Sequence, residues 1–185
     1  LGGGALHQMM MREDANINKP ADLKDKNITV MSYQDTSFYA TLAVLAQANL
    51  TRADADIQAA GPVGIWQLVA SGKAQGMIGA PENGAMVEAE GIPMTWQSTG
   101  DYFPGMAQAV LASEDMIAKN PEVVQKFVNA TLKAFEEVRD NPALAAKEYV
   151  SFMPSYKGRE AFVEKVLTYY ANNVYADQDT TVVKL

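Results

Sequence analysis

Cysteine is absent from the 185 residues, and histidine occurs once, as His7. The first absence excludes disulfides, thiolate zinc sites and thiol nucleophiles within this stretch. It says nothing of compartment, because a chain without thiols suits oxidising and reducing spaces equally. His7 has no carboxylate or cysteine near it in sequence, so it reads as a surface or packed imidazole rather than a ligand or catalytic base. Basic residues are also few: the formal charge is -7 and the isoelectric point about 4.7, with no Lys/Arg cluster to offset the acidic excess. Nucleic acid is therefore excluded as a partner. Long hydrophobic runs are missing too. The most apolar stretch, 38–48, is too short for a membrane span and contains Thr41 and Gln47, so no transmembrane helix is expected. The chain begins Leu1-Gly2-Gly3-Gly4, not with Met and not with a charged and apolar leader. Leu1 reads as an internal position of a longer precursor.

What is present belongs to a globular protein. Hydrophobic residues make up 48% and charged residues 20%, enough for one substantial core or two small ones. The organising stretch is 27–48. A β-branched run, Ile28 to Met31, breaks into a polar turn, Ser32-Tyr33-Gln34-Asp35-Thr36-Ser37, and a long Ala/Leu segment follows. This is a strand, a turn and a helix, with Asp35, Thr36 and Ser37 all good N-cap residues. The spacing predicts the helix over 37–48, with Phe38, Leu42, Leu45 and Ala48 as its apolar face. Such a junction aims free backbone N–H groups and the positive end of a dipole beyond the strand's C-terminal end. An anionic or polar small molecule fits there.

Before this unit, residues 5–11 read as a strand or connecting segment, and their three methionines as packing rather than metal ligands. Residues 14–26 read as a linker with one short turn at 20–23. After it, the same pattern repeats: strands at 56–60, 75–80 and 94–97, helices at 65–70 and 85–90, and Gly/Pro turns at 61–64 and 81–84. Units of about thirty residues that alternate in this way indicate a parallel α/β sheet, which binds ligands at the C-terminal edges of its strands. Trp66 is expected in the core. A loop with Tyr102 and Phe103 precedes a last strand at 106–112. The remainder reads as helices, starting at Ser113, at Asn120-Pro121 and at Asn141-Pro142, with another over 158–170. Val123, Val124, Phe127, Val128, Thr131, Leu132, Phe135 and Val138 form one apolar stripe that needs a partner surface.

Residues 17–30, Ile-Asn-Lys-Pro-Ala-Asp-Leu-Lys-Asp-Lys-Asn-Ile-Thr-Val, resemble the solute-binding proteins of ABC importers for nitrate, sulfonates, taurine and thiamine-pyrimidine precursors. In that family an Asp-Leu-Lys-Gly-Lys segment leads into a strand, a Gly/Ser/Thr turn and a Leu-rich helix. Leu68-Val69-Ala70-Ser71-Gly72-Lys73-Ala74-Gln75-Gly76 is similar to the family's Leu-x-x-Gly-Lys-Val-Asp-Ala segment, and 120–127 and 141–146 are similar to its C-terminal helices. Asp25 stands where the family usually has Gly, and Gln75-Gly76 where it has Asp-Ala. The family also carries about a hundred residues before this point, which supply most of its first lobe.

The resemblance implies a type II periplasmic-binding-protein-like fold, a three-layer α/β/α lobe with additional C-terminal helices, forming part of a two-lobed whole. Residues 1–26 would be the end of lobe 1, hinge and linker; 27–105 lobe 2; and 106–185 a return strand and helices packing on lobe 1. It implies an extracytoplasmic or periplasmic protein, free or lipid-anchored through an absent N-terminus, that captures a small polar or anionic solute of the sulfonate, nitrate, carboxylate or pyrimidine class. Its partners would be that ligand and a membrane permease. Ser32, Gln34, Thr36 and Ser37 would line one wall of the cleft, with Glu82 and Asn83 at the next strand end and Tyr102 near the hinge. No catalytic residue, metal or cofactor is expected. The alternatives are a ligand-sensing module of a regulator or receptor, and an enzyme like the thiamine-pyrimidine synthases, which share the fold but add a cysteine-rich stretch and a reactive histidine. Carboxylate pairs such as Asp54/Asp56 and Glu136/Glu137 read as caps or solvated helix faces, and no Gly-x-Ser-x-Gly, His-Glu-x-x-His or phosphate-loop pattern occurs.

Overall fold

The structure, a computed structural model, describes residues 6–102 and 109–176. It divides into a sheet-containing unit, residues 3–107, and a helical unit of residues 1–2 and 108–185.

The first unit is a five-stranded sheet in the order β3-β2-β4-β1-β5. Its strands are β1 (Gln8–Arg12), β2 (Asn27–Val30), β3 (Asp56–Ala59), β4 (Gly76–Gly79) and β5 (Met94–Ser98). The helices α1 (Thr36–Gln47), α2 (Gly61–Ala70) and α3 (Pro81–Ala89) alternate with β2 to β5. β2 pairs in parallel with both β3 and β4. β1 is antiparallel to β4 and to β5, so the expected parallel sheet is in fact mixed. β1 precedes the first strand-helix unit, and no crossover helix dictates its direction. The segment 1–26 thus supplies an inner strand, and 3-10 turns at Glu13–Ala15 and Pro20–Leu23 carry the chain on to β2.

Strand alternation sorts the side chains into two cores, one on each face of the sheet. Met9, Met11, Ile28, Val30 and Ile78 pack with Ala40, Val44 and Leu45 of α1. Met10 and Met77 face the other way, onto Ile65 and Val69 of α2 and Val87 of α3. Three consecutive buried methionines are therefore packing, divided between both layers. Trp66 is half-buried against the second core.

Some element details differ from expectation. α1 buries Ser37, Ala40, Thr41, Val44 and Leu45; Phe38 and Leu42 lie at the margin of the core and are only partly buried. α2 and α3 each begin several residues earlier than expected, with Pro62 and Pro81 in the first turn, where proline's missing N–H costs nothing. Glu82 and Asn83 are consequently helical. α3 lies close to the sheet: a Cβ on Gly84 would fall 2.5 Å from Met10 Sδ and 2.7 Å from the Trp96 ring.

The helical unit contains α4 (Glu114–Lys119), α5 (Pro121–Asp140), α6 (Pro142–Phe152) and α7 (Glu160–Tyr169), then a wider π turn at Tyr170–Val174. Ser113 Oγ caps α4 by accepting from Met116 N, and Asn141 Oδ1 caps α6 by accepting from Leu144 N. Ala146, Val150 and Val163 form its small core. The apolar stripe of α5 has no buried residue; Val123 and Phe127 are 50% and 57% exposed. Of the strand expected at 106–112, residues 106–108 lie outside the described residues, and 109–112 are irregular.

Candidate functional site

The chain turns in opposite directions after β2 and after β4. β2 leads through α1 on one face to β3, whereas β4 leads through α3 on the other face to β5. Beyond the C-terminal ends of β2 and β4 the two loops diverge, and open α/β sheets ordinarily form their ligand crevice at such a point. The crevice wall is the turn 31–35 on one side and residues 80–83 on the other. Because β1 runs the opposite way, its start joins the same edge: Gln8 pairs with Gly79 and with Ser98. His7 lies just beyond, its carbonyl accepting from Thr99 N at 3.1 Å and Thr99 Oγ1 at 2.8 Å.

Within the turn, Asp35 is the N-cap of α1, its carboxylate accepting from Ser37 N at 2.9 Å and from the Ser37 hydroxyl. That hydroxyl in turn accepts from Met31 N at 3.2 Å. Ser37 is buried and its hydrogen-bonding capacity is used in tying the strand end to the helix start. Ser32 and Thr36 are half-buried and Gln34 exposed; Ser32 Oγ accepts from Gln34 N at 3.3 Å. Tyr33 turns away from the crevice, donating its hydroxyl to Ile57 O at 3.1 Å. The N-termini of α2 and α3 have no side-chain cap; Gly61 N–H donates to Met31 O and Asn83 N–H to Ala80 O, both at 3.0 Å, so the helix dipole rather than a row of free N–H groups is what these ends offer.

On the β4 side Glu82 is exposed and Asn83 is buried, 6% accessible. The Asn83 backbone N–H donates to Ala80 O at 3.0 Å. Gly79 leaves room beside its side chain, since a Cβ there would lie 3.2 Å from Asn83 Nδ2. The structure therefore brings Ser32, Gln34, Thr36, Ser37, Glu82 and Asn83 to one edge. Tyr102 stands apart: its carbonyl accepts from Gln47 Nε2 at 3.5 Å near the C-terminal end of α1, and its ring packs half-buried against the core on that face.

His7, read from the sequence as a surface or packed imidazole, is packed. Its imidazole is 8% accessible and lies within electrostatic reach of Asp35 and Glu82. Burial lowers its pKa below 6.5, while the two carboxylates act in the opposite direction, so it is neutral at pH 7. The carboxylates come from α1 and α3, and only the sheet topology brings them to His7.

The edge is acidic. Asp35 and Glu82 face it, with Asp101 in the turn after β5. The basic residues of this unit, Arg12, Lys19, Lys24, Lys26, Arg52 and Lys73, precede β2, β3 or β4 or, like Arg12, close β1 at the opposite rim. Arg52 is stacked over the Tyr33 and Phe38 rings at 5.3 and 5.8 Å. A helix N-terminus favours an anion by roughly 0.3–1 kcal/mol. A carboxylate about 8 Å from an anion opposes it by roughly 2 kcal/mol at an effective dielectric near 20, less where water screens it as at Glu82. Two carboxylates thus cancel much of what the helix ends offer an anion. Among the described residues no group of three or more His, Cys, Asp or Glu side chains is placed to hold a metal ion, and no helix is long and apolar enough to cross a membrane.

Comparison with known proteins adds three findings. A family profile described as "NMT1/THI5 like" matches residues 4–145. The riboflavin-binding protein RibY of Chloroflexus aurantiacus is 31% identical over 136 residues, covering 72% of this chain and 38% of that protein. The periplasmic aliphatic sulphonate binding protein SsuA of Escherichia coli superimposes with a TM-score of 0.75 at 16% identity, over 92% of this chain and 53% of that one. At that identity the likeness to SsuA concerns the fold, which is periplasmic-binding-protein-like. The chain spans about half or less of the length of these relatives.

Proposed function

The chain belongs to the NMT1/THI5-like family, and from that premise we propose that it is part of the extracytoplasmic solute-binding component of an ABC importer. It holds a small polar solute in a cleft between two lobes and delivers it to a membrane permease. Ser32, Gln34, Thr36, Glu82 and Asn83 contact the solute, Ser37 holds the turn in shape, and Tyr102 supports the α1 face. Residues 106–185 supply helices that cover the other lobe. The observation that carries this reading is the switch point between β2 and β4, where helix N-termini without side-chain caps and buried polar side chains share one sheet edge. A riboflavin-binding protein and, in fold, an aliphatic sulphonate binding protein are similar to it over most of the chain.

An enzymatic reading has less support. The 4-amino-5-hydroxymethyl-2-methylpyrimidine phosphate synthase THI5 of Saccharomyces cerevisiae is 30% identical over only 67 residues, 35% of this chain. The test is calorimetric titration of the natural full-length protein with ethanesulfonate, nitrate, uracil and riboflavin, followed by recovery of the ligand. Heat of binding with an unchanged ligand is expected. Absence of heat with all four would count against solute binding, and consumption of a ligand would establish an enzyme.

A further inference from the structure

We infer that His7 and Asn83 contact the bound solute directly, and that the group it presents to this lobe is uncharged and carries a hydrogen-bond donor beside an acceptor, as a ring amide does. The inference rests on the solute-binding function proposed above and concerns the chemistry of the same crevice. Asn83 is 6% accessible, and its side-chain amide has no hydrogen-bond partner among the described residues. The amide is not among the fully enclosed unpartnered polar atoms of the described residues, which are Asn27 Oδ1 and Gln97 Oε1, so it keeps access to solvent and can exchange water for a ligand group. Its Nδ2 stands beside the side-chain-free Gly79 at the end of β4, at the edge where the proposed site lies. His7 is 8% accessible, and its side chain likewise has no hydrogen-bond partner among the described residues. A neutral imidazole offers one donor and one acceptor. Both residues therefore have the same hydrogen-bonding character, and an amide-like edge complements it.

Charge excludes the alternatives. An oxyanion would approach Asp35 and Glu82 with no side-chain cation of this unit at the edge, where oxyanion sites ordinarily place Arg or Lys. A full cation would meet the uncapped N-termini of α2 and α3, which disfavour positive charge. An uncharged group suits both: its N–H faces a carboxylate, Asn83 Oδ1 or His7, and its C=O faces a helix N–H or the Asn83 amide.

The experiment is equilibrium titration of the natural full-length protein at neutral pH with uracil and riboflavin as uncharged ring amides, and ethanesulfonate and nitrate as oxyanions. Asn83→Ala and His7→Phe are compared with wild type, and each variant's thermal melt checks its fold. If Asn83→Ala loses a cooperative melt, Gly79→Ala, which crowds the amide without removing it, takes its place. Nitrogen-15 histidine spectra, with His7 assigned from the His7→Phe difference, report contact independently of affinity. The expected result is that a ring amide binds more tightly than either oxyanion, that each variant weakens it at least about tenfold, and that it shifts the His7 nitrogen signals. Tighter binding of an oxyanion, or undiminished ring-amide affinity in the variants, overturns the inference and leaves solute binding standing. Absence of binding by all four probes defeats both.

Discussion

Asp35 and His7 share one edge, and each carries a separate expectation. Asp35 caps α1 through Ser37, so Asp35→Ala is expected to cost about 0.5–2 kcal/mol, whereas Asp35→Asn, which caps equally well, costs much less. Urea midpoints of the two variants measure the difference. The Asn variant also removes a negative charge from the crevice and is expected to raise affinity for an oxyanion. Burial holds the pKa of His7 below 6.5. The unfolded chain takes up this proton near 6.5, and the folded chain only at lower pH. As pH falls through that window the unfolded state binds more protons, and stability declines until the folded imidazole is also protonated. His7→Gln should therefore flatten the fall in melting temperature between about pH 7.5 and about pH 5.5. The carboxyls of Asp14, held low by Arg12, and of Asp54, held low by Thr51, act only further down, below 3.8. Asp35 as a cap was legible in the sequence because capping is a local matter. The packing of His7 was one of two readings the sequence left open, and its carboxylate neighbours were not legible because they come from distant elements.

At the scale of elements, strands and helices were largely legible from period and punctuation, and the differences at α3 turn on proline and glycine. Pro81-Glu82-Asn83-Gly84 has the composition of a turn, yet it opens α3, because proline is at home in a first helical turn and Gly84 serves another purpose. It lets α3 approach Met10 and Trp96. Gly84→Ala is expected to destabilise by about 1–3 kcal/mol through overpacking, seen as a lower urea midpoint with an unchanged slope. Intrinsic helix propensity alone would favour the alanine, so the sign of the change separates the two effects. On α1, Ala40, Thr41 and Val44 are buried with Leu45, while Phe38 and Leu42 lie at the margin. Local pattern identifies an element, but the distance to its neighbour decides which face is buried.

For the whole molecule, the unsatisfied surface lies on α5. Its apolar stripe was readable from spacing, and what it would face was not, because no complementary stripe in the chain announces itself by period. Phe127 is 57% exposed in this chain. With the other lobe present, as proposed, Phe127→Cys should react with a maleimide far more slowly in the natural full-length protein than in residues 1–185 alone. Equal rates would show that α5 does not cover that lobe. The antiparallel β1 has a consequence in time. It sits between β4 and β5, yet it is made before either of them. A nascent chain therefore carries Met9, Met10 and Met11 unpaired until residues 76–79 and then 94–98 have left the ribosome. The sheet cannot close one hairpin at a time; one of its inner strands waits for the last one, and that interval is when an apolar segment of this kind is open to chaperones and to aggregation.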